Sequence, residues 1–497
     1  MNVFRRTFSD TAITKNAPIT PEEFHTLFLQ VWDQIPSRLG LAISGGIDSM
    51  ALAHLTRTLP SVENGDSELH GFIVDHQVRD GSGEEAEAVA EALNALKITP
   101  HVMKMDWGGQ TPVRAMETLA RVKRYELMAK KSVELKIGRV LLGHHEDDRV
   151  ETILFRILSA SRGEGLATMR AEARMPERYA VYGADELRIG RPLGTVPKSR
   201  LISTCEANGI KWFEDQTNKD ARLTPRNAIR KLLSEEYDNL PVALQKPSLL
   251  ALSDRVTSLS EARYTEAQRI IDTDCNIRLN EEWGSLHLTF PERKLETLDI
   301  PGQRVMLRVV LLLAQMVSPV RIERKSDVAI KILTSLFRGE VGRTHQASGM
   351  GLLWRRSIDG SWTLWRAPMT KRKNSTYQAL QNDLVVPTGA RRVQWSEWKL
   401  WDGRWWMRFR GHPDVVTVRA LEPEDMRFVH ARGFELVRRK ILKTMPKLPP
   451  EHNRYTLPIV LVGDKRVALP SMGLSLLDLQ NTELKGFKYE CKFRSPQ

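Results

Sequence analysis

Two short clusters in this 497-residue chain bring chemistry-bearing side chains together. The first is Ser44-Gly45-Gly46-Ile47-Asp48-Ser49, directly behind the apolar run Leu39–Ile43. A buried strand that ends in two glycines and passes into a helix leaves several backbone N–H groups facing one concavity. Gly45 and Gly46 let the main chain approach an anion closely, and Ser44 and Ser49 add hydroxyl donors. Asp48 suits the helix N-terminus or a metal that bridges phosphates. The string lacks the Gly-Lys-Ser/Thr ending of a Walker A loop, which disfavours a kinase or GTPase. The second cluster is Gly143-His144-His145-Glu146-Asp147-Asp148-Arg149-Val150-Glu151-Thr152. If it opens a helix, His144 and Asp148 (four apart) share a face, as do Asp148 and Glu151 (three apart). Val150, Ile153, Leu154, Ile157 and Leu158 then form the opposite, buried stripe. Acids and histidines in one run suit Mg²⁺, a cationic substrate or a general base. The plainer reading is a solvated helix start whose acids favour the helix dipole. A zinc site needs a third ligand at suitable spacing, and the run offers none.

Both clusters need a scaffold, and the flanking pattern supplies one. Gly40–Ser44, Leu69–Asp75, Thr99–Met105 and Gly138–Gly143 read as strands. Met50–Leu59, Gly83–Leu96 and Thr118–Lys136 read as helices between them. Short apolar runs separated by helical segments make βαβ units, hence a parallel sheet wound on both faces, whose ligands bind beyond the carboxyl ends of the strands. Both clusters fall on that edge, together with Asp75-His76-Gln77-Val78-Arg79 and the helix start at Ser82, Glu84 and Glu85. Sharing an edge with a phosphate loop counts against the plain reading of the acids.

Length predicts about three domains. The net charge of +13 points to a polyanionic partner. Between Ser361 and Pro450 there are 18 Lys/Arg against 8 Asp/Glu, so about +10 of that charge lies in one stretch, beside seven of the twelve tryptophans. Basic residues interleaved with aromatics suit phosphate contact and base stacking; a β-rich domain with tryptophans in its core is the competing reading. Three scattered cysteines, Cys205, Cys275 and Cys491, exclude a disulfide framework or a cysteine-rich metal site. The best apolar run, around Val305–Val317, is interrupted by Arg308 and falls short of the roughly 18 residues that cross a bilayer, so a soluble protein is expected. Residues 1–20 carry arginines and hydroxyls with Asp10 as the single acid, the composition of a mitochondrial transit segment.

The chain resembles the tRNA(Ile)-lysidine synthetases, a family of PP-loop ATP pyrophosphatases. Ser44–Ser49 matches the family's SGGxDS loop. Asp75–Arg79 resembles its DHGLR segment, departing at Gln77 and Val78, and Glu117–Tyr125 resembles an EAAARxxRY helix. His144, His145, Asp148, Glu151 and Thr152 match HHxxDxxET. Arg191-Pro192-Leu193, Trp212–Asn218 and Arg226-Asn227-Ala228-Ile229-Arg230 resemble the RPL, WxEDx[ST]N and RNxIR elements in order. Further on, Val415–Leu421, Lys440–Pro450 and Leu457–Gly473 faintly resemble the strand, basic helix and hairpin of longer members, with a departure between Val429 and Arg439.

The resemblance implies an α/β chain with a Rossmann-like, doubly wound catalytic domain over 36–235. A helical linker domain over 240–345 and a basic, Trp-rich α+β tRNA-binding region over 346–497 would follow. It implies a C–N ligase that adenylates O2 of the wobble cytidine of CAU-anticodon tRNA(Ile) with ATP, releasing pyrophosphate, and then lets the ε-amine of free L-lysine displace AMP. Ser44, Gly45, Gly46, Ile47, Asp48 and Ser49 would bind ATP, with Asp48 positioning Mg²⁺. Asp48, Asp148 and Glu151 would be catalytic, and Arg121, Arg124, His144, His145, Arg226 and Arg230 would bind substrate. The expected setting is the mitochondrial matrix, without a membrane and with a homodimer left open. Rivals are a tRNA 2-thiolation enzyme, which would need more than Cys205 near the loop, a PP-loop amidating enzyme, and a tRNA-binding protein that has lost catalysis.

Overall fold

The computed structural model describes residues 16–78, 81–108, 116–161, 163–167, 169–213, 225–235, 239–289, 298–319, 326–337, 344–368, 384–386, 394–411, 415–431, 439, 453–476, 484 and 486–494. The expected elements Glu214–Asn218 and Lys440–Pro450, with Arg79, lie outside the described residues. The chain divides into two compact units, Met1–Ser260 and Glu261–Gln497.

The first unit begins with α1 (Pro21–Leu29), β1 (Arg38–Ile43), α2 (Ile47–Arg57), the single turn α3 (Pro60–Glu63), β2 (Glu68–Asp75), α4 (Ser82–Ala95) and β3 (Thr99–Lys104). It continues with α5 (Met116–Glu134), β4 (Arg139–Leu142), α6 (Glu146–Leu158), β5 (Glu172–Arg174), β6 (Arg188–Gly190), α7 (Lys198–Ala207), α8 (Pro225–Glu235) and α9 (Lys246–Asp274), within which the unit boundary falls. The strands lie in the order β3-β2-β1-β4-β6-β5, and all pairs are parallel except β5 with β6. The central strand β1 is buried on both faces, as its run Leu-Gly-Leu-Ala-Ile requires. One layer packs Phe24, Phe28, Leu52, Leu93 and Leu201 against the sheet; the other packs Tyr125, Met128 and Ala129.

This order positions the site. From β1 the chain steps outward through β2 to β3 and then returns to place β4 on the other side of β1. The strand order therefore reverses between β1 and β4, and a ligand crevice opens at such a switch point. The loop after β1 and the helix after β4 become neighbours, although Asp48 and His145 are far apart in sequence.

In the second unit, β7 (Asn276–Asn280), β8 (Ser285–Thr289), α10 (Ile300–Val317), α11 (Ser326–Phe337), β9 (His345–Gly349), β10 (Leu352–Arg356) and β11 (Ser361–Arg366) come first. They are followed by β12 (Leu384–Val386), β13 (Lys399–Trp401), β14 (Trp405–Arg410), β15 (Val416–Ala420), α12 (Pro423–Ala431), β16 (Pro458–Val462), β17 (Lys465–Leu469), β18 (Leu474–Ser475) and β19 (Lys488–Phe493). They make sheets ordered β7-β8-β11-β10-β9, β12-β15-β16-β17-β18 and β13-β14-β19. Between 240 and 345, where a helical linker is expected, the chain carries α10 and α11 and also the β7–β8 hairpin, whose β8 pairs with β11. Helix α10 is long and apolar enough to cross a membrane by length and composition, which the interrupted run had not suggested. Its Met306, Val309, Val310, Leu313 and Val317 are buried in a core shared with Leu286, Leu288 and Trp354.

Five of the seven clustered tryptophans, Trp362, Trp365, Trp401, Trp405 and Trp406, are buried, so for these the core reading holds over base stacking. The unit also encloses charge. Asp402 is fully buried and accepts from Arg366 (Nη2 at 3.1 Å) and Arg404 (Nε at 2.7 Å), while Arg404 also donates to the Thr456 carbonyl. Burial, opposed by Asp402, brings the Arg404 guanidinium down to about 10. Removing one partner of a buried pair leaves the other uncompensated. Asp402→Ala is expected to destabilise this unit by about 3–5 kcal/mol, read by tryptophan fluorescence in chemical denaturation; a change under about 1 kcal/mol would refute a structural role for the ion cluster.

Candidate active site

The phosphate loop owes its shape to Gly45, whose φ of +83° lies in the left-handed region. A Cβ there would meet Val89 Cγ2 at 2.6 Å. Gly46 is the N-cap of α2 and makes no side-chain cap, so the first-turn N–H groups face the crevice. Ser49 Oγ donates to the Gly46 carbonyl at 2.9 Å, and the Ser44 backbone N–H donates to Ser49 Oγ at 3.2 Å. Behind the loop, the Phe213 N–H donates to the Gly45 carbonyl at 2.9 Å.

Across the crevice, α6 starts at Glu146, with His145 as its N-cap. Asp148 Oδ2 accepts the His145 backbone N–H at 3.0 Å, which fixes the carboxylate at the helix mouth. Val150, Ile153 and Leu154 form the buried stripe with Ile229 and Leu249. Ile157 is only partly buried and Leu158 is 73% exposed, so the expected stripe ends a turn early.

The two histidines have opposite electrostatics. The His145 ring is buried, with Nε2 at 3.6 Å from Asp48 Oδ1 and 3.4 Å from Asp148 Oδ2, and Nδ1 at 3.6 Å from Asp147 Oδ2. Burial alone would favour the neutral ring, but the carboxylates of Asp147, Asp48 and Asp148 outweigh it and push His145 up to about 10. His144 receives a hydrogen bond from Arg191 Nε at 3.2 Å on Nδ1. Burial, then the charges of Arg191, Arg121 and Arg124, hold its pKa well below the usual histidine range. At neutral pH the pair is one imidazole and one imidazolium.

Two lysines complete the charge set. Lys198, opening α7, places Nζ 3.5 Å from Asp48 Oδ2, and its N–H donates to Asp147 Oδ2 at 2.8 Å. Lys246, opening α9, reaches Asp147 at 2.8 Å and Glu146 at 2.6 Å. Burial would raise the Asp48 carboxyl, yet His145 and Lys198 leave it lowered. Asp147 is lowered further: His145, Lys246 and the Lys198 N–H overcome its burial. On the outer side of α6, Arg230 Nε donates to Glu151 Oε1 at 2.8 Å and its Nη2 lies 4.0 Å from Asp148 Oδ1. Glu151 is nonetheless raised, because burial outweighs Arg230.

Glu146 and Arg191 apart, these groups line one cavity of about 950 Å³ with Ser44, Ser49, His76, Arg124, Tyr125, Met128, Phe72 and Val74. Of the expected site residues it brings together Ser44, Asp48, Ser49, Arg124, His144, His145, Asp148, Glu151 and Arg230. Arg121 does not line it; its guanidinium sits over the Tyr125 ring at 5.1 Å. The Arg226 side chain lies outside the described residues. Lys198 and Lys246 escaped the sequence reading because nothing in their spacing links them to acids 51 and 99 residues away. For a metal, the buried Asp48 Oδ1 has no hydrogen-bond partner and offers one carboxylate oxygen. Among the described residues no three His, Cys, Asp or Glu side chains are grouped to hold an ion by themselves. A cation held by one carboxylate and substrate phosphates fits that donor set, as Mg²⁺ is commonly bound.

A family model described as PP-loop domain matches residues 20–237. A tRNA(Ile)-lysidine synthase of Rickettsia bellii is 34% identical over 440 residues, covering 87% of this chain and 89% of that protein. The chain belongs to the tRNA(Ile)-lysidine synthase family. A probable tRNA(Ile)-lysidine synthase of Schizosaccharomyces pombe is 27% identical over 91% of this chain and 95% of its own length. The enzyme of Bradyrhizobium sp. is 34% identical over 44% of this chain. Like its family, the chain is a PP-loop enzyme that uses ATP in tRNA modification.

Two outcomes test the site as a tRNA(Ile)-lysidine synthase family centre. A Cβ on Gly143 would lie 3.0 Å from the Asp48 carbonyl, so Gly143→Ala should push the loop and lower ATP affinity at least about tenfold by calorimetry. His145 is raised above its unfolded value, so its contribution to stability is complete below about pH 6.5 and is lost as pH rises through about 10. NMR titration should find its ring still charged at pH 8 in the folded protein; a midpoint near the ordinary histidine value would refute the arrangement.

Proposed function

We propose that the chain is a tRNA(Ile)-lysidine synthase acting on the wobble cytidine of a CAU-anticodon tRNA(Ile), with free L-lysine as the second substrate. The observation that carries this reading is the meeting, in one cavity, of a phosphate-cradling loop with a carboxylate pair, Asp148 and Glu151, that already binds an organic cation, the Arg230 guanidinium. A site that only split ATP would have no use for such a pair.

The chemistry has two displacements. Cytidine O2 attacks the α-phosphorus of ATP, and the bond to the β-phosphate oxygen breaks to release pyrophosphate. The lysine ε-amine then attacks C2, and the C2–O2 bond breaks to release AMP. The N–H groups at the start of α2, the hydroxyls of Ser44 and Ser49 and the Lys198 ammonium would hold the departing pyrophosphate, donors fixed before charge develops. Mg²⁺, when bound at Asp48, would neutralise phosphate charge. The apolar wall of Phe72, Val74 and Met128 suits a planar base. Asp148 and Glu151 would orient the amine, and Glu151, raised by burial, is the better proton acceptor. Arg124 would pair with the lysine carboxylate or a phosphate. The acid-poor composition of residues 1–20 supports delivery to the mitochondrial matrix, which a fluorescent fusion of that segment would test.

The deciding experiment follows AMP and pyrophosphate release with ATP, Mg²⁺, lysine and the tRNA transcript, omitting lysine or tRNA in turn. Turnover should require both and leave lysine joined to the cytidine. Adenylated tRNA that ignores lysine would keep the loop chemistry and overturn the nucleophile. Asp148→Asn should lower lysidine formation by about 10²-fold or more while leaving the fold intact by circular dichroism; full activity would remove Asp148 from the mechanism.

A further inference from the structure

Arg191 is buried beside the cavity without lining it. It directly follows β6, as His144 closely follows β4, and the parallel register that sets Leu141 against Gly190 brings the two side by side at the carboxyl edge of the sheet. The guanidinium is anchored from behind. Its Nη1 donates to the Arg170 carbonyl at 2.8 Å, and the Arg191 backbone N–H donates to the Ala171 carbonyl at 2.8 Å. Held in this way, Nε donates forward to His144 Nδ1 at 3.2 Å.

That contact decides where the histidine proton sits. A guanidinium carries N–H donors and no acceptor, so the ring atom it meets must accept. Nδ1 is therefore bare, and the one proton of the neutral ring is on Nε2. A doubly protonated ring would set N–H against N–H between two cations, with Arg121, Arg124 and the His145 imidazolium adding like charge around it. His144 lines the cavity, and it brings a donor there that cannot become an acceptor. The lone pair of Nδ1 is taken by Arg191, and Nε2 already holds its proton. In the same cavity Lys198 and Arg124 are charged partners for phosphate and carboxylate, whereas an uncharged N–H matches an uncharged acceptor. The pyrimidine edge supplies one. As the amine adds to C2, electron density moves onto the adjoining ring nitrogen, where a donor fixed beforehand stabilises it.

We propose that Arg191 is a positioning residue that locks His144 with its proton on Nε2, so that His144 is a fixed hydrogen-bond donor to the pyrimidine edge and not the base that takes the amine proton. The donor role rests on the lysidine reading above; the lock does not. The lock is read on the full chain by long-range nitrogen–proton NMR correlation of the histidine rings, with His144→Gln identifying the signal. The His144 ring should carry its proton on Nε2 throughout about pH 6 to 9. In Arg191→Met the ring should populate both tautomers and titrate near the ordinary histidine value. Turnover reads the donor role. Arg191→Met should lower kcat for lysidine formation at least about tenfold, and His144→Met about 10²-fold, with KM for ATP unchanged. His144→Gln, whose side-chain amide keeps an N–H, should recover about tenfold of the loss in His144→Met. A proton on Nδ1 in the unsubstituted chain, or a ring that titrates there near the ordinary value, overturns the lock. A shifted tautomer in Arg191→Met with kcat unchanged overturns the donor role, as does a His144→Gln no better than His144→Met. Should Arg191→Met fail to fold, the tautomer of the unsubstituted chain and the two His144 variants still decide. A lock found in a chain that forms no lysidine supports Arg191 as its cause and overturns the lysidine reading alone.

Discussion

The loop after β1 and the helix after β4 are held at one place by a single buried cation, the His145 imidazolium. Without it, Asp48, Asp147 and Asp148 would crowd three negative charges into the crevice. With it, the phosphate loop and the acidic helix are one electrostatic body, closed by Lys198 from α7 and Lys246 from α9. The contacts of 3.4–3.6 Å are ion contacts rather than hydrogen bonds, and they leave the buried Asp48 Oδ1 without a hydrogen-bond partner. The cation thus organises the acids without saturating them. The neutral His144 next door, pressed by arginines, adds no further positive charge to the site.

Much of the first unit was legible because its signals are local. Strands β1, β2 and β4 are short apolar runs closed by Ser44, Asp75 and Gly143, and the structure keeps all four strands from β1 to β4 within a residue or two of the expected bounds. The alignment of Asp148 and Glu151 followed from helical spacing alone. What was illegible is tertiary. Lys198 and Lys246 find their acids only once α7 and α9 fold over α6, and Arg121 and Arg124 both lie over the Tyr125 ring while only Arg124 lines the cavity. Leu158 failed as a core residue because α6 ends there, facing no neighbouring layer.

In the second unit the difficulty was different. Asn276–Asn280 and Ser285–Thr289 alternate as a hairpin should, around Gly284 at a φ of +57°, but two long apolar helical stretches on either side masked them. Composition also cannot separate a core tryptophan from a stacking one. Trp405 and Trp398 lie seven residues apart, in the same basic stretch. Strand alternation buries the first, and the second rests over Arg408 and Lys492.

The margins of the parallel sheet bear on self-association. At one margin β5 is three residues long and reversed in direction; at the other, β3 contains Pro100, which withholds an N–H from any strand laid beside it. Neither margin presents a long, intact row of donors and acceptors. Among the described residues, both margins of this sheet thus disfavour strand addition by a second copy, which keeps the crevice at the sheet's centre apart from fibre-like growth at its sides.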